Sequence, residues 1–321
     1  MNPLVGILTG PTASGKTQLA LQWAAELSNI ETDIEIINAD SLLVYRGLDI
    51  RTAKPTPAQL NLLPHHLIDL LDPSEAFTAG DFCRAAHAAI ADIHRRGKRA
   101  LIIGGTGFYL KALLFGLWEA NLPIQNAELK AQLQLCSNPS LYEELCQKDL
   151  PSAERIGPHD RYRLIRAIEI CRLSGKSLTE LQASLPKSPD PQFRLWIIDR
   201  ETSELHARIQ LRTQEMLNHG VIEEFKTMNS RYPESRALMA VGYAQINAYL
   251  KEIPPVGRNL KPGIEGLSEE IQLATRQLVK RQRTWFKGQC KPSNNAHGFR
   301  LFKLDAEMDL LKAEFQKIYM C

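Results

Sequence analysis

One stretch near the start limits the folds open to this chain more than any other. Gly10-Pro11-Thr12-Ala13-Ser14-Gly15-Lys16-Thr17 spells G-x-x-x-x-G-K-T. An apolar run, Leu4 to Leu8, precedes it with the length of a buried strand. Leu19, Ala20, Trp23, Ala24 and Leu27 follow at helical spacing. Strand, glycine loop and helix are the context in which this motif acquires a mechanism. Gly10 and Gly15 let the backbone aim its N–H groups at a phosphate, and the helix N-terminus behind adds partial positive charge. Lys16 supplies a point charge to a phosphoryl oxygen, and Thr17 offers a hydroxyl to Mg²⁺. The stretch is therefore a polyphosphate site, and the rest of the chain must say which polyphosphate.

The 321 residues suggest one large domain with an insertion, or two domains. Strand candidates alternate with helix candidates up to about residue 116: Ile34 to Asn38, His66 to Leu71 and Ala100 to Ile103, with helices from Thr78 and over 108–115. That alternation predicts an α/β fold with a parallel sheet covered on both faces. From 117 to 191 the pattern turns to successive helices broken by prolines, and an apolar strand returns at Phe193 to Asp199. The expected organisation is a P-loop NTPase-like core over 1–116 and 192–321, interrupted by a helical insertion over 117–191. A strand (Arg300–Leu304) and a helix (306–319) are expected to end the chain.

Six cysteines occur without a C-x-x-C pair, which excludes a zinc ribbon or a redox dithiol of that spacing. Reduced cytosolic thiols are the expectation. The chain enters a strand at once, so no signal peptide is expected, and no apolar run reaches the roughly 18 residues of a membrane span. A net charge of +3 is too small to argue for nucleic acid by itself. Clustering has to carry that case.

Two basic stretches supply it. Asp160-Arg161-Tyr162-Arg163-Leu164-Ile165-Arg166 runs on toward Arg172. Farther on, Arg276, Lys280, Arg283 and Lys287 recur at steps of four, three and four, on one stripe of a helix. Ile271, Leu278 and Trp285 fall on the opposite face, where the helix should meet the core. A solvated charged face is one reading of the stripe; a phosphate backbone is the other, because no acidic residue is interleaved. His65-His66 has no third ligand at metal spacing and reads as a pair of loop histidines.

Two further sites bear on chemistry. Leu101-Ile102-Ile103 ends in Gly104-Gly105-Thr106, where a nucleotide hydrolase would place an acidic residue for Mg²⁺. Asp40 follows another strand, at the edge where such sheets bind ligands; it is either a proton acceptor or a turn residue.

In this order the segments resemble the tRNA dimethylallyltransferases, also called tRNA isopentenyltransferases: Gly10 to Thr17, Asp40-Ser41, Thr52-Ala53-Lys54-Pro55, Gly104-Gly105-Thr106, Val241-Gly242-Tyr243, and Thr275 to Trp285. The resemblance implies transfer of a dimethylallyl group from dimethylallyl diphosphate to N6 of adenosine 37 in tRNAs that read codons beginning with U. The phosphate loop would then hold the diphosphate leaving group, with Mg²⁺ on Thr17, and the target base would be flipped out of its stack. By position, Asp40 corresponds to the general base and Thr106 to its partner near the reacting centre. Gly10 to Thr17, Arg208 and Arg212 correspond to the diphosphate site. Asp40, Ser41, Leu42, Leu43, Lys130, Tyr162, Arg163, Arg166, Gly242, Tyr243, Lys280, Arg281, Arg283 and Lys287 correspond to tRNA contacts at the anticodon stem-loop. A cytoplasmic monomer is implied.

The chain departs from the family at Tyr162, where Gln is common, at Met239 and Ala244, and at Lys130 in place of Arg. Cys290 and His297 lack partners for the zinc finger some members append, so none is expected. Two other readings remain: a nucleotide or small-molecule kinase on the same fold, and a non-catalytic RNA-binding protein, which leaves the intact phosphate loop unexplained.

Overall fold

The computed structural model describes residues 3–27, 34–117, 126–254, 261–289 and 299–319. Cys290 and His297 lie outside these residues. The chain divides into two compact units: Lys111–Ser188, and the residues before and after it.

The larger unit is built on six parallel strands. They are β1 (Val5–Thr9), β2 (Ile34–Asn38), β3 (His65–His66), β4 (Arg99–Gly104), β5 (Phe193–Asp199) and β6 (Phe299–Lys303), in the order β3-β2-β4-β1-β5-β6. β1 and β2 are buried at every position, as strands covered on both faces must be. Between them run α1 (Lys16–Leu27), α2 (Pro57–Leu62), α3 (Ala79–Arg95) and α4 (Gly107–Phe115). Thr78 caps α3 through a box with Asp81, whose own N–H it accepts. On one face of the sheet Leu8, Trp23, Ile36, Trp196, Phe302 and Phe315 form a continuous core.

The third strand is shorter than the apolar run His66 to Leu71 predicts. Leu67 and Asp69 take positive φ angles of 63° and 54°, which turn the chain out of the sheet after two residues. Leu71 returns only as a single bridge to Tyr45.

The Lys111–Ser188 unit contains α5 (Ala127–Leu135), α6 (Asn138–Ile156), α7 (Arg161–Ser174) and α8 (Leu178–Ala183). Leu133, Leu141, Leu145, Leu164, Ile168 and Leu178 make its separate core. Pro151, one of the prolines read in the sequence as breaks between helices, marks one: the backbone leaves helical geometry at Asp149, two residues before it, inside α6. Asp149 accepts from Ser152 N (3.2 Å) and Thr179 N (2.9 Å), so its carboxylate caps the helix that restarts there.

After β5 the larger unit continues with α9 (Thr202–Asn218), α10 (Val221–Arg231), α11 (Tyr243–Leu250) and α12 (Gly263–Gln289), and α13 (Leu304–Tyr319) follows β6. The buried face of α12 is not the expected Ile271-Leu278-Trp285 stripe. Ile271, Val279 and Phe286 are buried, while Leu278 and Trp285 are half-exposed. The cause is α9: Leu205 and Ile209 pack on Val279 and widen the buried face to that side.

Candidate active site

Strand register assembles the site. Thr9 pairs with Gly104 and Asn38 with Ile103, so β1, β2 and β4 end level with one another. The phosphate loop, Ala39-Asp40 and Gly105-Thr106 therefore leave the same carboxyl edge side by side, where doubly wound sheets take their ligands. The approach is close: a Cβ on Gly104 would lie 2.2 Å from the Ala39 carbonyl carbon. Thr106 N donates to Ala39 O at 3.2 Å, and the Thr106 hydroxyl accepts from Ser41 N at 3.0 Å.

These segments border a cleft of about 710 Å³. Thr12, Ala13, Gly15, Lys16 and Thr17 line it from the phosphate loop; Asp40, Leu43, Gly104, Gly105, Arg208 and Arg212 line it from the other segments. Gly10 (φ 155°) and Gly15 (φ 92°) make the turns that a Cβ would strain. Gly10, Pro11 and Ser14 are buried behind the loop and shape it from there. Ser41, Leu42 and Thr106 do not line the cleft; Thr106 holds the turn that carries Asp40.

The cations of the cleft are held mainly by carbonyl oxygens. Lys16 Nζ donates to Gly10 O and Pro11 O, both at 2.9 Å. Arg208 Nε donates to Ala13 O at 2.9 Å, and Arg212 donates to Arg51 O at 3.2 Å. Burial holds the Lys16 ammonium down to about 8; the Asp40 charge opposes the shift and that of Arg212 adds to it. Arg212 is likewise lowered to about 10, by burial and then by the charge of Arg51. Crowded, partly desolvated cations of this kind are an anion site.

Asp40 is both a turn residue and a cleft residue. Its Oδ1 accepts from Leu42 N at 2.9 Å, and its own N–H donates to Asn38 Oδ1 at 2.9 Å. These bonds fix the carboxylate at the cleft wall. Thr17 is exposed on the same wall. Among the described residues no three His, Cys, Asp or Glu side chains form a metal-binding group. The Thr17 hydroxyl fits a Mg²⁺ that takes most of its oxygen ligands from a diphosphate and water, the usual manner of that ion.

Gln282 was visible in the sequence only as part of a motif. Its side-chain oxygen accepts from Thr12 N at 2.8 Å and its amide donates to Gly105 O at 3.2 Å, tying α12 to two loops of the site. Arg200 also escaped the sequence; its Nε donates to Ser14 O at 2.9 Å. No local pattern marks either residue, because each acts across more than 170 positions of chain.

The basic stripe of α12 is only partly a free surface. Lys280, Arg281 and Lys287 are exposed. Arg283 is not available: Asp199 at the end of β5 pairs with it at 2.8 Å, and it also donates to Thr202 Oγ1 at 2.8 Å. The missing acidic neighbour comes from another strand. Tyr243 is fully buried and donates to Glu224 at 2.6 Å, so its side chain offers no RNA contact; Met239 nearby is 76% exposed. In the Lys111–Ser188 unit Tyr162 and Arg163 are exposed and Lys130 is half-buried. Arg166 is paired with the buried Glu169 at 2.7 Å.

The profile of the IPP transferase family matches residues 43–289. The chain belongs to that family. A tRNA dimethylallyltransferase 1 of Citrifermentans bemidjiense is 43% identical over 87% of this chain and 88% of its own length. A tRNA dimethylallyltransferase of Synechococcus elongatus is 39% identical over 89% of the chain and 88% of its own. Among solved structures, a tRNA isopentenylpyrophosphate transferase of Bacillus halodurans is 31% identical, covering 99% of this chain and 95% of its own, with a TM-score of 0.65. A eukaryotic dimethylallyltransferase acting on tRNA shares the fold, with a TM-score of 0.81 over 98% of this chain and 79% of its own at 24% identity. In this IPP transferase the phosphate loop lies ahead of the matched residues.

Proposed function

We propose that this IPP transferase is a tRNA dimethylallyltransferase: it moves a dimethylallyl group from dimethylallyl diphosphate to N6 of adenosine 37 in tRNAs reading codons that begin with U. The observation that carries the reading is the composition of the cleft. Lys16, Arg208 and Arg212 line it, Asp40 stands fixed at the end of β2 while the other lining carboxylate, Glu215, lies on α9, and β4 ends in glycine. A leaving diphosphate needs the cations. An incoming amino group needs the carboxylate. Cleavage of a γ-phosphate would need a Mg²⁺-holding acid at the end of β4, so the kinase reading is not favoured.

In the reaction the allylic C–O bond breaks and its electrons stay on the diphosphate, which Lys16 and the arginines stabilise. The adenine N6 forms the new C–N bond and sheds a proton, which Asp40 accepts. Thr106 keeps the Asp40 turn against the β4 loop. Mg²⁺, when bound at Thr17, would add charge neutralisation to the leaving group.

The test is incubation with unmodified tRNA and either dimethylallyl diphosphate or ATP, followed by mass spectrometry of the nucleosides. A dimethylallyl mass on adenosine and free diphosphate are expected from the first mixture. ADP formation from the second, without modified adenosine from the first, would refute the reading.

A further inference from the structure

Arg51 has no place in the motifs discussed so far, yet it lines the cleft beside Arg212 and Asp40. We propose that Arg51 is a further guanidinium of the diphosphate clamp, held in position by Glu224 and the Val241-Gly242-Tyr243 segment. The proposal rests on the diphosphate reading above.

The argument begins with what holds the residue. Glu224, outside the cleft, accepts from three successive backbone N–H groups: Asp49 at 2.7 Å, Ile50 at 2.7 Å and Arg51 at 3.2 Å. Three consecutive amides on one carboxylate form an anion nest, and here the anion is part of the protein. The Tyr243 hydroxyl donates to the same carboxylate at 2.6 Å. The main chain of Arg51 is thus fixed from α10 and α11 together.

The side chain is fixed as well. Arg51 Nε donates to Val241 O at 2.5 Å. Gly242 follows with φ at 99°, and a Cβ there would stand 3.2 Å from Arg51 Cγ. The glycine serves both the left-handed backbone and the room Arg51 occupies. Val241-Gly242-Tyr243 therefore acts as the seat of an arginine.

What remains is a fork with its two terminal nitrogens uncommitted among the described residues. It stands beside Arg212, which donates to the Arg51 carbonyl at 3.2 Å, and its charge helps lower the Arg212 pKa. Two half-buried guanidiniums held together repel one another, and a bound dianionic or trianionic phosphate group between them removes that cost. Asp40, the carboxylate of the same wall, is already committed through one oxygen to Leu42. Arginine is the residue suited to this role, since its planar fork matches two phosphoryl oxygens.

The experiment is calorimetric titration of the full chain with inorganic diphosphate, beside steady-state transfer kinetics. Arg51→Ala is expected to weaken diphosphate roughly 10- to 100-fold, the range for one charge-assisted contact. It should raise KM for dimethylallyl diphosphate while KM for tRNA stays within about twofold. Glu224→Gln retains an acceptor but loses the charge, and as a positioning change it should raise the same KM by a smaller factor with kcat nearly kept. Gly242→Ala is expected to reproduce the Arg51→Ala diphosphate defect without touching the guanidinium chemically. If Lys16→Ala weakens diphosphate while Arg51→Ala and Gly242→Ala bind it as wild type does, the inference is wrong and the diphosphate reading stands. If the wild-type chain itself neither binds diphosphate nor transfers the prenyl group, the diphosphate reading falls first.

Discussion

The arginines of helix α7 and the cations of the cleft differ in what they are bonded to. On α7, Arg166 pairs with Glu169 and Arg172 with Glu144, each at 2.7 Å, and Arg161 donates to Asn138 at 2.7 Å. In the cleft, Lys54 is paired with Asp49 and Asp69, but Lys16, Arg51, Arg208 and Arg212 donate to main-chain carbonyls. A carboxylate partner cancels the charge it orients. A carbonyl partner orients the charge and leaves it for a ligand. Arg208 has a carboxylate neighbour too, but Glu204 is 3.8 Å away and closer to Arg200, at 2.6 Å. The two regions look alike in composition, and only the partners separate a folded helix pair from an anion site.

The largest test of the contrast removes the cleft carboxylate at the end of β2. Asp40→Asn keeps the Asx turn onto Leu42 but cannot accept the amino proton. Single-turnover transfer with saturating tRNA and dimethylallyl diphosphate should slow by about 10²–10⁴ with both substrates still bound. Rates near wild type would return Asp40 to a turn residue. Next in size is Lys16→Ala, expected to cost on the order of 10²–10³ in transfer rate while tRNA binding persists. Loss of tRNA binding with intact turnover of the bound complex would contradict the assignment.

Acidity sharpens the same point. Lys16 falls from 10.5 to about 8 because folding takes its ammonium out of water. In the free protein the charge is present below pH 8 and lost above it, and a bound diphosphate favours the charged form. Affinity for dimethylallyl diphosphate should therefore decline as pH rises through 8, by at most about tenfold per unit. Lys16→Met should flatten the profile. Folding stability of the ligand-free chain runs the other way: the unfolded state binds the extra proton between pH 8 and 10.5, so this residue's cost fades across that window.

Much of this site is legible in the sequence. The strand-loop-helix context of Gly10 to Thr17, the strand-end placement of Asp40 and the glycines after β4 are local patterns, and local patterns survive folding. Arg208 and Arg212 came only from the family resemblance, and both line the cleft. Gln282, Arg200, Arg51 and Glu224 were not legible as site residues. Each works through a partner more than 170 positions away, and no periodicity encodes such a partner. The same blindness misread Arg283 as unneutralised, since its acid, Asp199, belongs to β5. It also hid the short β3, where Leu67 and Asp69 adopt a left-handed backbone that their residue types do not announce.

The smallest expected effect separates two cations on one helix. Arg283 and Lys287 lie one turn apart on α12, and by composition either one could hold a tRNA phosphate. Arg283 already has Asp199 and Thr202 as partners, while Lys287 is exposed. A cation that meets a phosphate only when RNA arrives releases counterions at that moment; one paired inside the fold does not. Lys287→Ala should therefore lower the slope of log affinity against log salt by roughly 0.7–0.9, equally for every substrate tRNA, with little change in melting temperature. Arg283→Met should leave the slope unchanged and lower the melting temperature, because Asp199 loses its charged partner at a part-buried position. Binding isotherms over a salt series, paired with thermal melts of the same proteins, read both effects. A slope change for Arg283→Met equal to that for Lys287→Ala would mean the carboxylate pair opens to admit RNA, and partner chemistry would no longer distinguish the two kinds of cation.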